Sequence, residues 1–340
     1  MTGPARRLAS ALSRRRAIVL LAAAGGLGLS CRGLLARDSR AASLTEWQGS
    51  VLGAESRMLL VHPDRQRAAR ILDACLAEVA RLEQIFSLYC ADSELTRLNR
   101  DGRIIRPSLD LKVVLEEAHR VSLASNGAFD VTIQPLWRLL ADHQGRSVPP
   151  KAFEAARHLV AFTDVDIASR TIGLARDHMA VTLNGIAQGY ITDRVADLLE
   201  DAGFDRVLMQ LGESRALEPP RAGGVWQTAI PDPRGTGHDL WTLALERRAL
   251  ATSSGLALVF DAQGPRHHLL NAKTGESPNH YLSVSVLASR AMRADALSTA
   301  LYVLPPEAAA ATIARLGGGE ALILHRDGRT SRLAVGGPAA

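Results

Sequence analysis

The sequence predicts an α+β fold in one domain, and three observations carry that expectation. Extended segments come in blocks, whereas a βαβ chain places one before every helix. Hydrophobic residues make up 47% and charged residues 22% of the 340, the balance of a chain that can bury a core. Neither an internal repeat nor a long linker divides it, and the ~300 residues beyond the leader suffice for one large domain or two modest ones.

The elements follow in chain order. Residues 44–62 read as extended and end at His62-Pro63. Residues 64–86 form an amphipathic helix whose stripe is Ala68, Ile71, Leu72, Cys75, Val79, Leu82 and Phe86, an i, i+3, i+4 recurrence. The polar Ala91-Asp92-Ser93 loop leads to Glu94–Asn99, and a second helix runs 109–124, stopped by Asn126-Gly127. The stretch 143–150, with Pro149-Pro150, is a loop. Short strands fit 171–175 and 178–183, a helix 186–201 stops at Gly203, and a strand follows at 205–211. The Pro/Gly-rich 218–224 is irregular, and 225–290 holds several short strands with turns at Asp232-Pro233 and Lys273-Thr274-Gly275. Helices at 293–303 and 306–316 precede a last strand at 320–325. This divides the chain into an export signal and linker, 1–40, a domain, 44–330, and a flexible tail, 331–340.

The net charge of +5 is unevenly spread. Residues 1–40 hold eight arginines and one acid, a net +7, which leaves −2 for the rest. Without the leader the electrostatic case for nucleic acid disappears. Ser13-Arg14-Arg15-Arg16 precedes a short, Ala/Gly-rich apolar stretch from Ala17 to Ser30. Paired arginines before a weakly hydrophobic core are the twin-arginine export pattern, which implies a periplasmic protein. An ordinary signal or an uncleaved anchor is the plainer alternative. Cys31 stands where a lipidated cysteine would, although Gly28 fits that cleavage pattern poorly. Cys75, inside the helical stripe, reads as a buried thiol; a pairing with Cys90 stays open.

Neither GxGxxG after a strand, GxxxxGK[ST] nor GxSxG occurs beyond the leader, so the common nucleotide and hydrolase-elbow signatures are missing. No Cys/His spacing fits structural zinc. Asp295 and Thr299 are i and i+4, which on a helix presents two hard oxygens on one face. That pair suits Mg²⁺, an ion that keeps waters and takes phosphate oxygens; by themselves the two residues are far better explained by a solvated Asp and a buried Thr. His267-His268 is the only histidine pair, and a neutral imidazole can serve as general base. In a loop, a surface or core histidine is the simpler reading.

Four ordered segments carry a family resemblance: Phe86-Ser-Leu-Tyr-Cys-Ala-Asp-Ser-Glu-Leu95 with Asn99; Gly127-Ala-Phe-Asp-Val-Thr132 with Pro135-Leu136; Leu183-Asn-Gly-Ile-Ala-Gln-Gly-Tyr190 with Asp193; and Ala294-Asp-Ala-Leu-Ser-Thr-Ala300. Leu211-Gly212-Glu213, Ala251-Thr-Ser-Ser-Gly255 and His268-Leu-Leu-Asn-Ala-Lys-Thr-Gly275 agree with them. Over residues 50–325 the chain resembles the ApbE-like family of FAD:protein FMN transferases.

The resemblance implies a T-fold-like α+β domain and transfer of FMN from FAD to a Thr or Ser of an acceptor flavoprotein. It implies Mg²⁺ (Mn²⁺ or Ca²⁺ being alternatives) held by Asp295, Thr299 and a main-chain oxygen of Gly185, with His268 as catalytic base. FAD contacts are implied at Leu52, Tyr89, Ala128, Phe129, Asp130, Thr182, Gln188 and Leu270. Tyr89 would stack on adenine and Asp130 accept from ribose or ring donors, although a buried, hydrogen-bonded Tyr89 is the plain reading. The glycines of 184–190 would let backbone approach a pyrophosphate at the start of the 186–201 helix; a simple strand-to-helix turn is the alternative. Thr182 stands where the family often has an acid, Gln188 where it has Lys or Glu, and Asn271 where Asp is common. The Asn-Gly-Ile-Ala-Gln-Gly-Tyr version resembles the subgroup tied to nitrous-oxide reductase maturation, which implies a membrane-bound acceptor. Two rivals use the same residues: a metal-dependent FAD pyrophosphatase and a non-catalytic FAD-binding chaperone.

Overall fold

The computed structural model describes residues 43–260 and 266–336. The expected export segment 1–40, Cys31 with it, and residues 337–340 lie outside the described residues.

β1 (Ser43–Val51) and β2 (Ala54–His62) form an antiparallel hairpin closed by Leu52-Gly53. Both turn residues have positive φ, 47° and 83°, as a two-residue turn matching the strand twist requires. Leu52 is the costly one, because a branched side chain is poorly tolerated there. Its N–H is held by Glu83 Oε1 at 2.7 Å, on α1 (Arg65–Phe86). Asp64 caps that helix by accepting from Arg67 N–H at 2.9 Å. The expected stripe is buried except for Ile71, which is partly covered. Cys75 and Cys90 are separate free thiols, and burial pushes Cys75 up to about 12.

α2 (Glu94–Asp101), β3 (Arg103–Ile105) and α3 (Leu109–Ala124) follow. Next come α4 (Gln134–His143) and α5 (Pro150–His158), then the short strands β4 (Val165–Ile167) and β5 (Thr171–Leu174). Helices α2, α4 and α5 were not anticipated. Each carries a start signal: Ser93 accepts from Thr96 N–H at 3.0 Å, and Pro135 and Pro150 open α4 and α5. Residues 178–183, expected as a strand, are not one. Their backbone is instead paired by the Asn99 side chain, which both donates to Val181 O (2.8 Å) and accepts from Val181 N–H (2.6 Å).

The rest of the chain is α6 (Ala187–Asp201), β6 (Val207–Leu211), β7 (Ser214–Ala216), β8 (Trp226–Pro231), β9 (Asp239–Leu245), β10 (Ala249–Ser254), β11 (Tyr281–Ala288), α7 (Ala291–Val303), α8 (Pro306–Arg315), β12 (Gly319–His325) and β13 (Thr330–Val335). The last strand corrects the expected tail: residues 331–335 belong to the sheet, paired with β12 along Gly319–Leu324.

The main sheet runs β1-β2-β6-β7-β10-β11-β12-β13, antiparallel throughout. Period-two alternation divides its residues. Met58, Leu60, Val207, Met209, Ala249, Ala251, Val284 and Val286 face the core under α1, α6 and α7. Their neighbours Leu59, Leu208, Leu250, Leu287 and Leu322 face the β8–β9 hairpin through Trp226, Ile230 and Leu245. This α+β layering buries α6 and α7 against one face of the sheet, side by side. Among the described residues no helix is long and apolar enough to cross a membrane.

The two helices meet at Gly189. A Cβ there would lie 2.7 Å from Met292 Cα and closer still to the Ala291 carbonyl, backbone that cannot swing aside. Gly189→Ala should therefore cost about 1–3 kcal/mol or more by prising the helices apart, seen as a lower unfolding midpoint in denaturant.

Candidate active site

Helices α6 and α7 hold the functional groups because their closest approach lies at the start of each. Asp295 and Thr299 are successive turns of α7, and Asp295 is buried. Asp295 Oδ2 accepts the Gly189 N–H at 3.1 Å. Gly185, in the turn before α6, lies against Thr299: a Cβ there would sit 3.0 Å from Thr299 Oγ1 and 3.3 Å from Phe129 Cε2. The structure thus sets Thr299 and the Phe129 ring against Gly185, and Asp295, one turn earlier on α7, against Gly189.

Two residues not anticipated as site residues join them. Ser253 Oγ, on β10, lies 3.2 Å from Thr299 Oγ1 and 2.8 Å from Ser298 Oγ. Glu213, in the turn between β6 and β7, is buried and faces Asp295, with the Thr252 main chain as its donor. Both sit in segments legible as family landmarks, but the sequence does not show that the sheet order carries them to α7.

Electrostatically the pocket is short of positive charge. Burial and the nearby Asp193 charge push Asp295 up to about 7, against the Gly189 N–H, which holds it down. Burial and then Asp295 itself push Glu213 well above the carboxylate range. Two buried carboxyl groups sharing so few donors are stabilised by a cation or by protons. Carboxylate, hydroxyl and main-chain oxygens are the hard donors that Mg²⁺ takes, so these residues fit that ion. Among the described residues no three His, Cys, Asp or Glu side chains cluster as a metal site; an ion here would depend on neutral oxygens and on its substrate for the remainder.

The buried carboxyl makes a prediction about stability. A carboxyl whose pKa is raised by folding contributes stability fully below its unfolded value near 4, and that contribution is lost as pH rises through about 7. In EDTA, Asp295→Asn should melt increasingly above the native chain as pH rises from about 5 to about 8, and added Mg²⁺ should close the gap.

Leu52, Tyr89 and Gln188 line one open groove of about 200 Å³, with Ser87, Cys90 and Asn184. Tyr89 is 57% exposed, which replaces the buried reading with a ring free to meet a planar ligand. Ser87 Oγ sets its backbone, accepting from Tyr89 N–H (3.1 Å) and Cys90 N–H (3.2 Å). The Gln188 amide packs on Gly212, where a Cβ would be 2.6 Å from its Cδ; Gly212 has φ 94°, so glycine is needed twice over. Ile186 gives α6 no side-chain cap; in its first turn Ala187 N–H donates to Leu183 O and Gly189 N–H to Asp295 Oδ2.

Other expected contacts have their side chains occupied. Asp130 Oδ1 accepts from Thr132 N–H (2.8 Å) and Thr132 Oγ1 (2.6 Å), and Oδ2 accepts from Phe162 N–H (3.1 Å). Its carboxylate therefore builds the turn at 130–133 instead of being free for ribose. Thr182 Oγ1 accepts from Asn184 N–H at 3.3 Å, and Leu270 is buried with Leu136, Leu140 and Phe260. Ala128 lines a separate hollow of about 350 Å³ with Gly127, Asn271, Lys273 and Arg315.

The two histidines differ. His267 Nε2 donates to Pro278 O (2.9 Å) and its Nδ1 accepts from Leu269 N–H (3.3 Å), so both nitrogens are structural. His268 Nδ1 lies 3.1 Å from Leu258 O. A carbonyl only accepts, so Nδ1 carries the proton and Nε2 keeps its lone pair. Burial pushes His268 down to about 4, so the imidazole is neutral at pH 7, with Nε2 unprotonated.

Comparison with known proteins agrees in sequence and in fold. The sequence model of the ApbE family matches residues 46–323. The FAD:protein FMN transferase of Treponema pallidum is 30% identical over 293 residues, 78% of this chain and 80% of that protein. That of Haemophilus influenzae is 32% identical over 234 residues, 64% of this chain and 68% of that protein. The apo form of the Pseudomonas stutzeri flavinyl transferase ApbE superposes with a TM-score of 0.75 at 27% identity, over 88% of this chain and 96% of that one. The flavin transferase ApbE of Vibrio cholerae gives 0.73 at 25%, over 86% and 97%. Matched by the family model over most of its length, and by relatives in sequence and in fold, the chain belongs to the ApbE family.

Proposed function

We propose that this chain transfers FMN from FAD to a threonine or serine hydroxyl of an acceptor flavoprotein, with Mg²⁺ as its metal. The observation that carries this reading is Thr299 set against Gly185 and the buried Asp295 held by Gly189 N–H, while Asn184 and Gln188 of the same segment line the groove of Leu52 and Tyr89. Relatives named FAD:protein FMN transferase, matched over most of their length, support it.

In this reading the groove takes FAD, with Tyr89 against a planar ring and the pyrophosphate toward the start of α6. The side chains of Asp295 and Thr299 and the Gly185 carbonyl would hold Mg²⁺, which neutralises charge on the pyrophosphate when bound. The acceptor hydroxyl attacks the FMN phosphorus in line. Its proton passes to His268 Nε2, the bond to the AMP oxygen breaks, and AMP leaves. One phosphoanhydride is lost and one phosphoester is gained, so the flavin ends covalently attached.

The paired arginines ahead of the apolar leader support export to the periplasm, with a lipidated Cys31 or an uncleaved leader as routes to the membrane. The Asn-Gly-Ile-Ala-Gln-Gly-Tyr segment supports a membrane-bound acceptor of nitrous-oxide reductase maturation. The test is incubation of the chain with FAD, Mg²⁺ and such an acceptor, followed by denaturing gel fluorescence. A flavin-fluorescent acceptor band, lost when its target hydroxyl residue is replaced by alanine, is expected. FAD bound with neither label nor AMP formed would support the chaperone reading instead.

A further inference from the structure

α7 begins without a cap of its own. Arg290 precedes it and makes no side-chain cap hydrogen bond, and its first turn holds no acid. The missing cap comes from α6. Asp193, buried at 1% exposure, accepts Ala291 N–H on Oδ1 (2.8 Å) and Met292 N–H on Oδ2 (3.0 Å). Its charge is offset by Arg215, paired with Oδ1, by Arg290 Nε at 3.3 Å from Oδ2, and by the positive end of the helix. Asp193 lies one turn after Gly189, so two successive turns of α6 grip α7: Gly189 N–H holds Asp295, and Asp193 holds the two residues that start the helix.

We propose that Asp193 is the positioning residue of the cation pocket, fixing the first turn of α7 so that Asp295 and Thr299 face Gly185. It touches neither ion nor flavin in this arrangement. Its effect runs through the helix it caps, and a pair of main-chain bonds from one carboxylate sets both the position and the rotation of that helix. The inference rests on the proposed cation reading of the pocket.

The test uses the full chain without FAD and reads the rise in thermal midpoint as Mg²⁺ is added. Asp193→Asn should raise the half-saturating Mg²⁺ by about tenfold or more, as for other residues that orient metal ligands from behind. Amide exchange at Ala291 and Met292 should quicken in the same variant. Leu322→Ala, on the far face of the sheet, controls for lost stability: it should lower the midpoint and leave the half-saturating Mg²⁺ unchanged. If Asp193→Asn fails to fold, Arg290→Gln carries the test, since it removes one charge partner and keeps both main-chain bonds; it should give a smaller shift in the same direction. Half-saturation unchanged from the native chain in the variant tested overturns the inference alone. A native chain with no response to Mg²⁺ overturns the cation reading together with it.

Discussion

Asp295→Ala should abolish flavin transfer, lowering kcat/KM by about 10³-fold or more, roughly 4 kcal/mol of transition-state stabilisation. The residue is the only carboxylate on α7, and it is buried where the pyrophosphate would lie. Removing it leaves Thr299 and the Gly185 carbonyl, neutral oxygens that hold a hard cation weakly. The fold should survive. Alanine favours the helix, and the lost hydrogen bond from Gly189 N–H is offset by removing a carboxyl whose burial already pushes it up to about 7. Transfer rates across a Mg²⁺ titration, with circular dichroism as the fold control, measure the effect. A variant that transfers at the native rate removes Asp295 from the site.

His268→Ala should lower kcat by about 10²–10⁴-fold with little change in FAD binding. The reason is Nε2, which has no hydrogen-bond partner among the described residues and is oriented by the bond from Nδ1–H to Leu258 O. His267→Ala should behave differently, because its two nitrogens tie Leu269 and Pro278 together; its loss should lower the melting temperature before it touches the chemical step. Since burial holds His268 down to about 4, the base stays unprotonated across the physiological range. An acidic limb that reports His268 therefore lies near pH 4, below that of an ordinary histidine. Single-turnover rates of both variants at saturating FAD separate the two roles. A His268→Ala rate equal to the native one would leave the attack on phosphorus without this base.

The sequence shows the strong elements and the pocket's first residues for physical reasons. Helix α1 announces itself through its stripe, and Asp295 and Thr299 through their i, i+4 spacing. The helices it conceals, α2, α4 and α5, are short, so each offers too few turns for a period to stand out. Residues 178–183 look like a strand because they are apolar, yet Val181 is paired by the Asn99 side chain from α2 and Thr182 N–H by Val131 O, partners far away in sequence. The same distance hides Glu213 and Ser253: the sheet order β6-β7-β10 carries them to α7, and no local pattern encodes that. Conversely, Asp130 and Leu270 stand in the family's motifs, but their side chains hold the turn at 130–133 and a small apolar cluster. Motif position marks which backbone lies near the site; it does not say which atoms face a ligand.

The central claim is that the hydroxyl of a protein, and not water, receives the FMN. The most direct measurement compares AMP released with flavin bound to acceptor in one reaction containing FAD and Mg²⁺. The account predicts one AMP for each acceptor labelled, and no sustained AMP release when the acceptor is left out. Steady AMP and free FMN with unlabelled acceptor would contradict it, and would identify the same pocket as that of a pyrophosphatase.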